Sequence, residues 1–367
     1  MKFSCYQKDL ATAVTNVQRA VSSKTNLPSL EGILIRAVDD KIMLCGYDLE
    51  IGITTFLQSS VEENGAIVVS AKLFGDIVRK LPEESVSIET DEKSVVYIQC
   101  GCADYQIVGI SAQDYPDLPE VDEESTLTIE SGVLRNMIKQ TIFAISDDNT
   151  KPIYTGSLFE VKNNVFRIVS IDGYRVAIRQ EKVACDINNK FIVPGKTLSE
   201  VLKLVTDEEQ KINIIIGQRH AILQIENYSI FTRLIEGKFI DYRSTIPETT
   251  KTEFVANTRE FISAVERVSL LTTERIQSPI KCMVYDSQVK LSCSTSVGKA
   301  NDTVLAHISG ENVEIGMNNK YLLDALKNAD TDKIKVNLNG AISPIKITPV
   351  DGGDSFIFLV VPMRFKQ

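Results

Sequence analysis

Apolar residues fall at helical spacing in three related segments, KLFGDIVRKL at 72–81, KTLSEVLKLV at 196–205 and KYLLDALKNA at 320–329. The stripes are Phe74, Ile77, Val78 and Leu81, then Leu198, Val201, Leu202 and Val205, then Leu322, Ala325, Leu326 and Ala329. Recurrence every three or four residues predicts a helix that buries one face. The leading lysines Lys72, Lys196 and Lys320 recur at a constant interval of 124 residues, the size of a domain rather than of a short solenoid repeat. Upstream of each segment a second helical stripe is legible: Leu10, Ala13, Val14, Val17 and Val21, then Leu134, Met137, Ile138 and Ile142, then Phe261, Val265, Val268 and Leu271.

Between and after these helices the pattern changes to β-branched and alternating runs, such as GILIRAVDDKIMLCG, LFEVKNNVFRIVSIDG and KINIIIGQRHAILQIENYSIFTRLI. These read as strands, with Asp-Asp, Asn-Asn and Gly-Gln-Arg marking hairpin turns. The pattern resets near PDLPEVDEES at 116–125 and IPETTKTE at 246–253. The expected organisation is therefore α+β, with three domains at 1–122, 123–250 and 251–367. Each has two helices against antiparallel strands.

Composition adds constraints. In 367 residues, 43% hydrophobic and 24% charged content is that of an ordinary globular protein with several cores. No apolar run reaches the roughly 20 residues of a membrane span, and MKFSCYQKDL lacks a signal-peptide pattern, so a cytoplasmic location is expected. Seven scattered cysteines without CxxC pairing read as reduced residues, mostly buried, with no metal site.

The net charge of −9 opposes nucleic acid as a partner in sum, but the distribution runs the other way. Lys72 and Arg79, Lys196 and Lys203, and Lys320 and Lys327 stand seven apart, two turns along one helix face. The upstream helices carry Lys8, Arg19, Arg135, Lys139, Arg259 and Arg267. Taken singly, each lysine has an acid at i+4 (Asp76, Glu200 and Asp324) and reads as a solvated face. Repetition of the column in three units is what points to a polyanion.

Catalysis finds little support. His220 and His307 are the only histidines and lie far apart in sequence. VPGKT at 193–197 lacks the glycine of a phosphate-binding loop, since Lys190 stands in its place, and Asp147, Asp148 and Asp172 read as turn residues. Neither a cofactor nor a catalytic residue is expected.

The layout, together with IVVSAKLFGDIVRKLP, FIVPGKTLSEVLKLV, VSIDGYRVA, KFIDYRSTIP and the closing VVPMRF, resembles the bacterial sliding clamps, the β subunits of DNA polymerase III. The resemblance spans the whole chain. It implies a non-enzymatic processivity factor forming a head-to-tail homodimeric ring, with helices lining the hole around double-stranded DNA and sheets outside. The DNA contacts implied are Lys24, Lys72, Arg79, Lys80, Lys139, Lys151, Lys196 and Lys203. The implied partners are the replicative polymerase α subunit, the clamp loader and other proteins with clamp-binding motifs.

Their peptides would enter a pocket formed by Tyr154, Ile171, Gly173, Tyr174, Arg175, Val176, Ile240, Thr245, Asn318, Tyr321, Ile342, Pro344, Val360, Val361, Pro362, Met363 and Arg364. Apolar burial would drive binding while Arg175 and Arg364 fix polar groups and Met363 adapts. Ile240 stands where the family often has proline, and Ser244 where a longer polar residue is common. For the subunit contact the resemblance implies Tyr105, Ile107, Leu270, Leu271 and Ile276, which taken alone equally fit a core. Two other readings stay open at this point: an acidic peptide-binding scaffold that never encircles DNA, and a hydrolase built on Asp147, Asp148 and Asp172.

Overall fold

Among the described residues, six α-helices form where the apolar stripes predict them: α1 Gln7–Val17, α2 Ala71–Lys80, α3 Ser131–Ile142, α4 Gly195–Leu204, α5 Thr258–Ser269 and α6 Asn319–Lys327. The computed structural model describes residues 1–22, 25–185, 187–272, 278–351 and 353–365. Starts are fixed by capping: the Ser70 hydroxyl accepts from the Leu73 N–H, the Asn257 side chain from the Glu260 N–H and the Asn318 side chain from the Tyr321 N–H. Phe74, Ile77 and Val78 of α2, Leu198 and Val201 of α4, and Leu322, Ala325 and Leu326 of α6 are buried as the period requires.

Every helix but α3 is shorter than its stripe: Leu81, Val205 and Ala329 fall just beyond α2, α4 and α6 yet stay buried. α1 stops at Val17 and tightens into a 3₁₀ turn through Ala20, so Val21 lies outside it. α5 stops at Ser269, leaving Leu270 80% exposed and Leu271 beyond the helix. The apolar pattern continues past the helix ends because residues beyond the last helical turn still pack inward, as Leu271 does.

Packing divides the chain into two units, one of residues 1–133 with 199–234 and the other of residues 134–198 with 235–367. The central repeat is thus split. In the first unit a nine-stranded antiparallel sheet joins Ile51–Gln58 to Tyr228–Arg233, with Ile53 opposite Ile230. A five-stranded sheet in the same unit ends on the edge strand Ala103–Val108.

In the second unit a twelve-stranded sheet joins Arg175–Lys182 to the last strand, Phe356–Val360, with Ala177 opposite Phe358. Strand pairing therefore carries one repeat into the next in each unit, leaving no sheet edge bare at those joints. The turns match their sequence. Asn163 and Asn164 both take positive φ, the conformation of a tight two-residue hairpin that short polar side chains tolerate. Asp286-Ser287 does the same without having been marked by the sequence pattern.

The cores are apolar. In the second unit Phe254 and Phe261 meet edge to face at 5.8 Å, and Cys282 lies among Val284, Leu291 and Ile315. Burial pushes the thiols of Cys5, Cys45 and Cys282 up to about 12. At pH 8 such a group is ionised to only about one part in ten thousand, and the thiolate is the reactive form. Native protein treated with a thiol reagent is expected to lose exposed Cys102 first and half-buried Cys185 next, with the other five reacting only in denaturant. Early labelling of Cys45 or Cys282, followed by peptide mapping, would contradict this packing.

Candidate nucleic-acid and peptide interfaces

Opposite the buried stripes, Lys72, Lys80, Lys139, Lys151, Lys196, Lys203, Lys320 and Lys327 are exposed on or beside the helices. Lys24 lies outside the described residues. Among the described residues Lys72 and Lys320 make no ion pair with Asp76 and Asp324 at i,i+4. Instead the Arg79 guanidinium reaches Asp76 at 2.6 Å, and the Lys203 ammonium reaches Glu200 at 2.8 Å, both at i,i+3. The Arg79 side chain also donates to the Gln18 side chain at 3.3 Å. Lys327 pairs with Glu266 of α5 at 2.7 Å. Lys151 sits 5.9 Å over the Tyr154 ring.

In the second unit, the expected peptide residues gather around the joint of Arg175–Lys182 with Phe356–Val360. The turn before the first strand is shaped by Asp172, whose carboxylate accepts from the backbone N–H groups of Tyr174 and Arg175. Gly173 supplies the positive φ of 94° that this turn needs. Tyr174 projects, 60% exposed, and its ring stacks on Tyr321 at 5.8 Å. Burial, with the Asp172 carboxylate next in weight, raises the Tyr321 phenol above its usual range.

The tail leaves the final strand across this surface. The Val361 N–H donates to the Tyr174 carbonyl at 2.8 Å and the Met363 N–H to the Gly316 carbonyl at 2.9 Å. The tail lies so close that a Cβ on Gly316 would come within 2.3 Å of the Met363 carbonyl oxygen. An apolar floor lies nearby: Ile171, Val176, Leu158 and Leu359 pack with Tyr154, Ile240 and Ile246. Ile342 is exposed, Pro344 partly buried, and Thr245 donates to the Tyr242 carbonyl at 2.6 Å.

The geometry adds detail to several expectations. Arg175 is only 8% exposed and already ion-paired: it binds Asp172 at 2.8 Å and also Asp324, with its guanidinium 4.7 Å from the Tyr321 ring centre. It holds the wall together, and Arg364 remains as the exposed arginine. Asn318 acts as the cap of α6. Val360 is fully buried in the last strand, so the adaptable lip begins at Val361.

Phe143 and Tyr242, which the sequence reading passed over, contribute structurally, and Asp324, read there only as the i+4 acid of Lys320, binds Arg175. Phe143 lies 5.5 Å from the Arg175 guanidinium, and Tyr242 donates to the buried Glu160 carboxylate at 2.9 Å. Burial pushes the Tyr242 phenol up to about 12. KFIDYRSTIP was the signal for Tyr242, and nothing local marks Asp324 as the partner of Arg175.

Of the expected subunit-contact residues, Tyr105 is 38% exposed on the edge strand, but Ile107 turns inward and belongs to the core. Its neighbour Val108 points out, 79% exposed. Leu271 packs partly against the core, Leu270 is exposed, and Ile276 lies outside the described residues. Leu305, 78% exposed, is a further outward residue. It lies where Gly298–Gly310 changes partners: residues 298–305 pair only with Gln288–Thr295, and 306–310 with Thr252–Asn257.

No metal-binding group of histidine, cysteine and carboxylates occurs among the described residues. His220 stacks near Phe231, and burial with Arg233 and Arg219 lowers it, so it is neutral at physiological pH.

Family comparison decides between the readings. Models of the N-terminal, central and C-terminal domains of the DNA polymerase III beta subunit match residues 1–119, 128–241 and 243–364.

The chain belongs to the DNA polymerase III beta subunit family.

The beta sliding clamp of Bacillus subtilis is 34% identical over 378 aligned positions, covering 99% of this chain and all of that protein. The beta sliding clamp of Staphylococcus aureus is 32% identical, covering 99% of each. The crystal structure of the Bacillus subtilis DNA polymerase sliding clamp superposes with a TM-score of 0.97 at 33% identity over both full chains. A beta subunit structure from Pseudomonas aeruginosa gives 0.94 at 25% identity, over 99% of this chain and all of that one. The function is that of a sliding clamp, a processivity subunit without catalytic activity, and the hydrolase reading falls away. Among the described residues no helix is long and apolar enough to cross a membrane.

Proposed function

We propose that two copies of the chain close head to tail into a ring around duplex DNA and tether the replicative polymerase to it. The domains are taken as 1–122, 123–250 and 251–367. The observation that carries the DNA contact is the cationic column recurring every 124 residues on one helix face of a chain whose net charge is −9. Such a column meets phosphates without reading sequence, which suits a subunit that must move along any DNA.

The second unit's surface around Tyr174, Tyr321, Ile240 and Met363 suits short peptide tails from the polymerase α subunit, the clamp loader and other motif-bearing proteins. An apolar floor beside exposed aromatic rings favours Leu- or Phe-bearing peptides. The two half-bare strands, Ala103–Val108 in the first unit and residues 298–305 in the second, suit antiparallel pairing between subunits, with Tyr105, Val108, Leu270 and Leu305 apolar around them.

The deciding experiment loads labelled protein onto nicked circular DNA with its loader and ATP, then cuts the circle. Retention on the circle with loss from the free ends is expected. Equal retention on both would mean ordinary binding and restore the acidic scaffold as the better account. Neutralising Lys72, Lys196 and Lys203 together is expected to flatten the salt dependence of DNA contact by a slope of about 3, roughly 0.9 per phosphate.

A further inference from the structure

The acids beside the cationic columns obey the same repeat as the cations. Asp76, Glu200 and Asp324 are spaced by 124 residues, each three positions before Arg79, Lys203 and Lys327. In α2 and α4 that acid holds its cation, at 2.6 Å and 2.8 Å. In α6 Asp324 is drawn to Arg175 instead, and Lys327 is held at 2.7 Å by Glu266 from α5. A carboxylate engages the distal cation in all three helices, by two different structural routes. Lys72 and Lys320, at the other end of their columns, make no ion pair among the described residues.

We propose that Asp76, Glu200 and Glu266 are mobility-setting residues, internal counter-ions that weaken the grip of Arg79, Lys203 and Lys327 on DNA phosphates. This rests on the encirclement proposed above. A phosphate approaching Arg79 must displace Asp76, so each contact releases less free energy than an unpaired cation would. The Asp76 and Glu266 pairs are exposed, and such pairs exchange readily, which lets the contact form and break as the ring moves. Glu200 is the most strongly placed of the three. Its side chain is 9% exposed, its second oxygen lies 3.9 Å from the Arg19 guanidinium, and that oxygen has no hydrogen bond. One buried carboxylate thus faces two cations, Lys203 and Arg19.

The test follows single wild-type and variant rings loaded on long DNA and measures their one-dimensional diffusion between 50 and 200 mM salt. Asp76→Asn, Glu200→Gln and Glu266→Gln combined are expected to slow diffusion at least about threefold, most strongly at low salt, because up to three further cations engage phosphate. A control with Asp40→Asn, Glu92→Gln and Glu311→Gln makes the same charge change at exposed sites away from the columns and is expected to move like wild type. Asp76→Asn alone changes an exposed side chain, so it keeps the test valid if Glu200→Gln fails to fold; it is expected to slow diffusion by a smaller factor.

Unchanged mobility of all variants overturns the inference, as does equal slowing by the control, which would assign the effect to net charge. Wild-type protein that slips off closed circles overturns the encirclement reading and this inference with it, whereas retained wild type with unaltered variants overturns this inference alone.

Discussion

Arg175→Ala is expected to lower the stability of the unit carrying residues 134–198 and 235–367 by about 3–5 kcal/mol, and to weaken binding of polymerase-tail peptides at least about tenfold. The magnitude comes from burial. Arg175 is 8% exposed, and removing it leaves the Asp172 side chain, 10% exposed, facing Asp324 without a cation between them. Uncompensated buried charge is among the few mechanisms by which a single substitution reaches this range.

Peptide affinity falls for a second reason. The same guanidinium packs on Tyr321, which stacks on Tyr174, so truncation frees both rings that wall the surface. Urea unfolding and calorimetric titration read the two effects separately. A double-mutant cycle with Asp324→Asn sharpens the account. A coupling energy of about 1 kcal/mol or more is expected for groups in one network, and effects that merely add within about 0.5 kcal/mol would show that the pair does not act as one.

The second large effect concerns assembly. Val108→Asp together with Leu305→Asp is expected to convert the protein to a species sedimenting at the 40.8 kDa of one chain and to abolish retention on nicked circles. Both side chains point outward on strands with bare hydrogen-bonding edges. A carboxylate desolvated on each side of a closing interface costs several kcal/mol, against a contact of standard size. Peptide binding measured on the variant should stay near the wild-type value, because neither residue lines the Tyr174 and Tyr321 surface. A variant that still sediments at twice the chain mass would remove these strands from the subunit contact.

The limits of local reading appear at particular residues. The α2, α4 and α6 helices were legible because a buried face recurs with the helical period, and burial of an apolar stripe is what stabilises a helix in a protein. Their acids were equally visible, yet the pairing was not. At i,i+3 and i,i+4 a carboxylate has two cations within reach, and rotamer and neighbours decide between them. Ile107 shows a related limit. Strand alternation says that Ile107 and Val108 face opposite ways, but only the sheet's position says which face is the core.

Taken by itself, the sequence determined three α+β repeats whose second helices recur every 124 residues, six helices with one cationic face each, and the Asn163-Asn164 hairpin turn. These are local properties, set by spacing along the chain and by backbone preferences at single residues. The tertiary structure alone decided that the central repeat is shared between two packed units, since strand Ile51–Gln58 finds Tyr228–Arg233, and Arg175–Lys182 finds Phe356–Val360. It also decided that Arg175 pairs with Asp324, 149 residues away, as well as with its neighbour Asp172. A partner that distant is chosen by which surfaces the folded strands bring together and by the cost of burying an arginine unpaired.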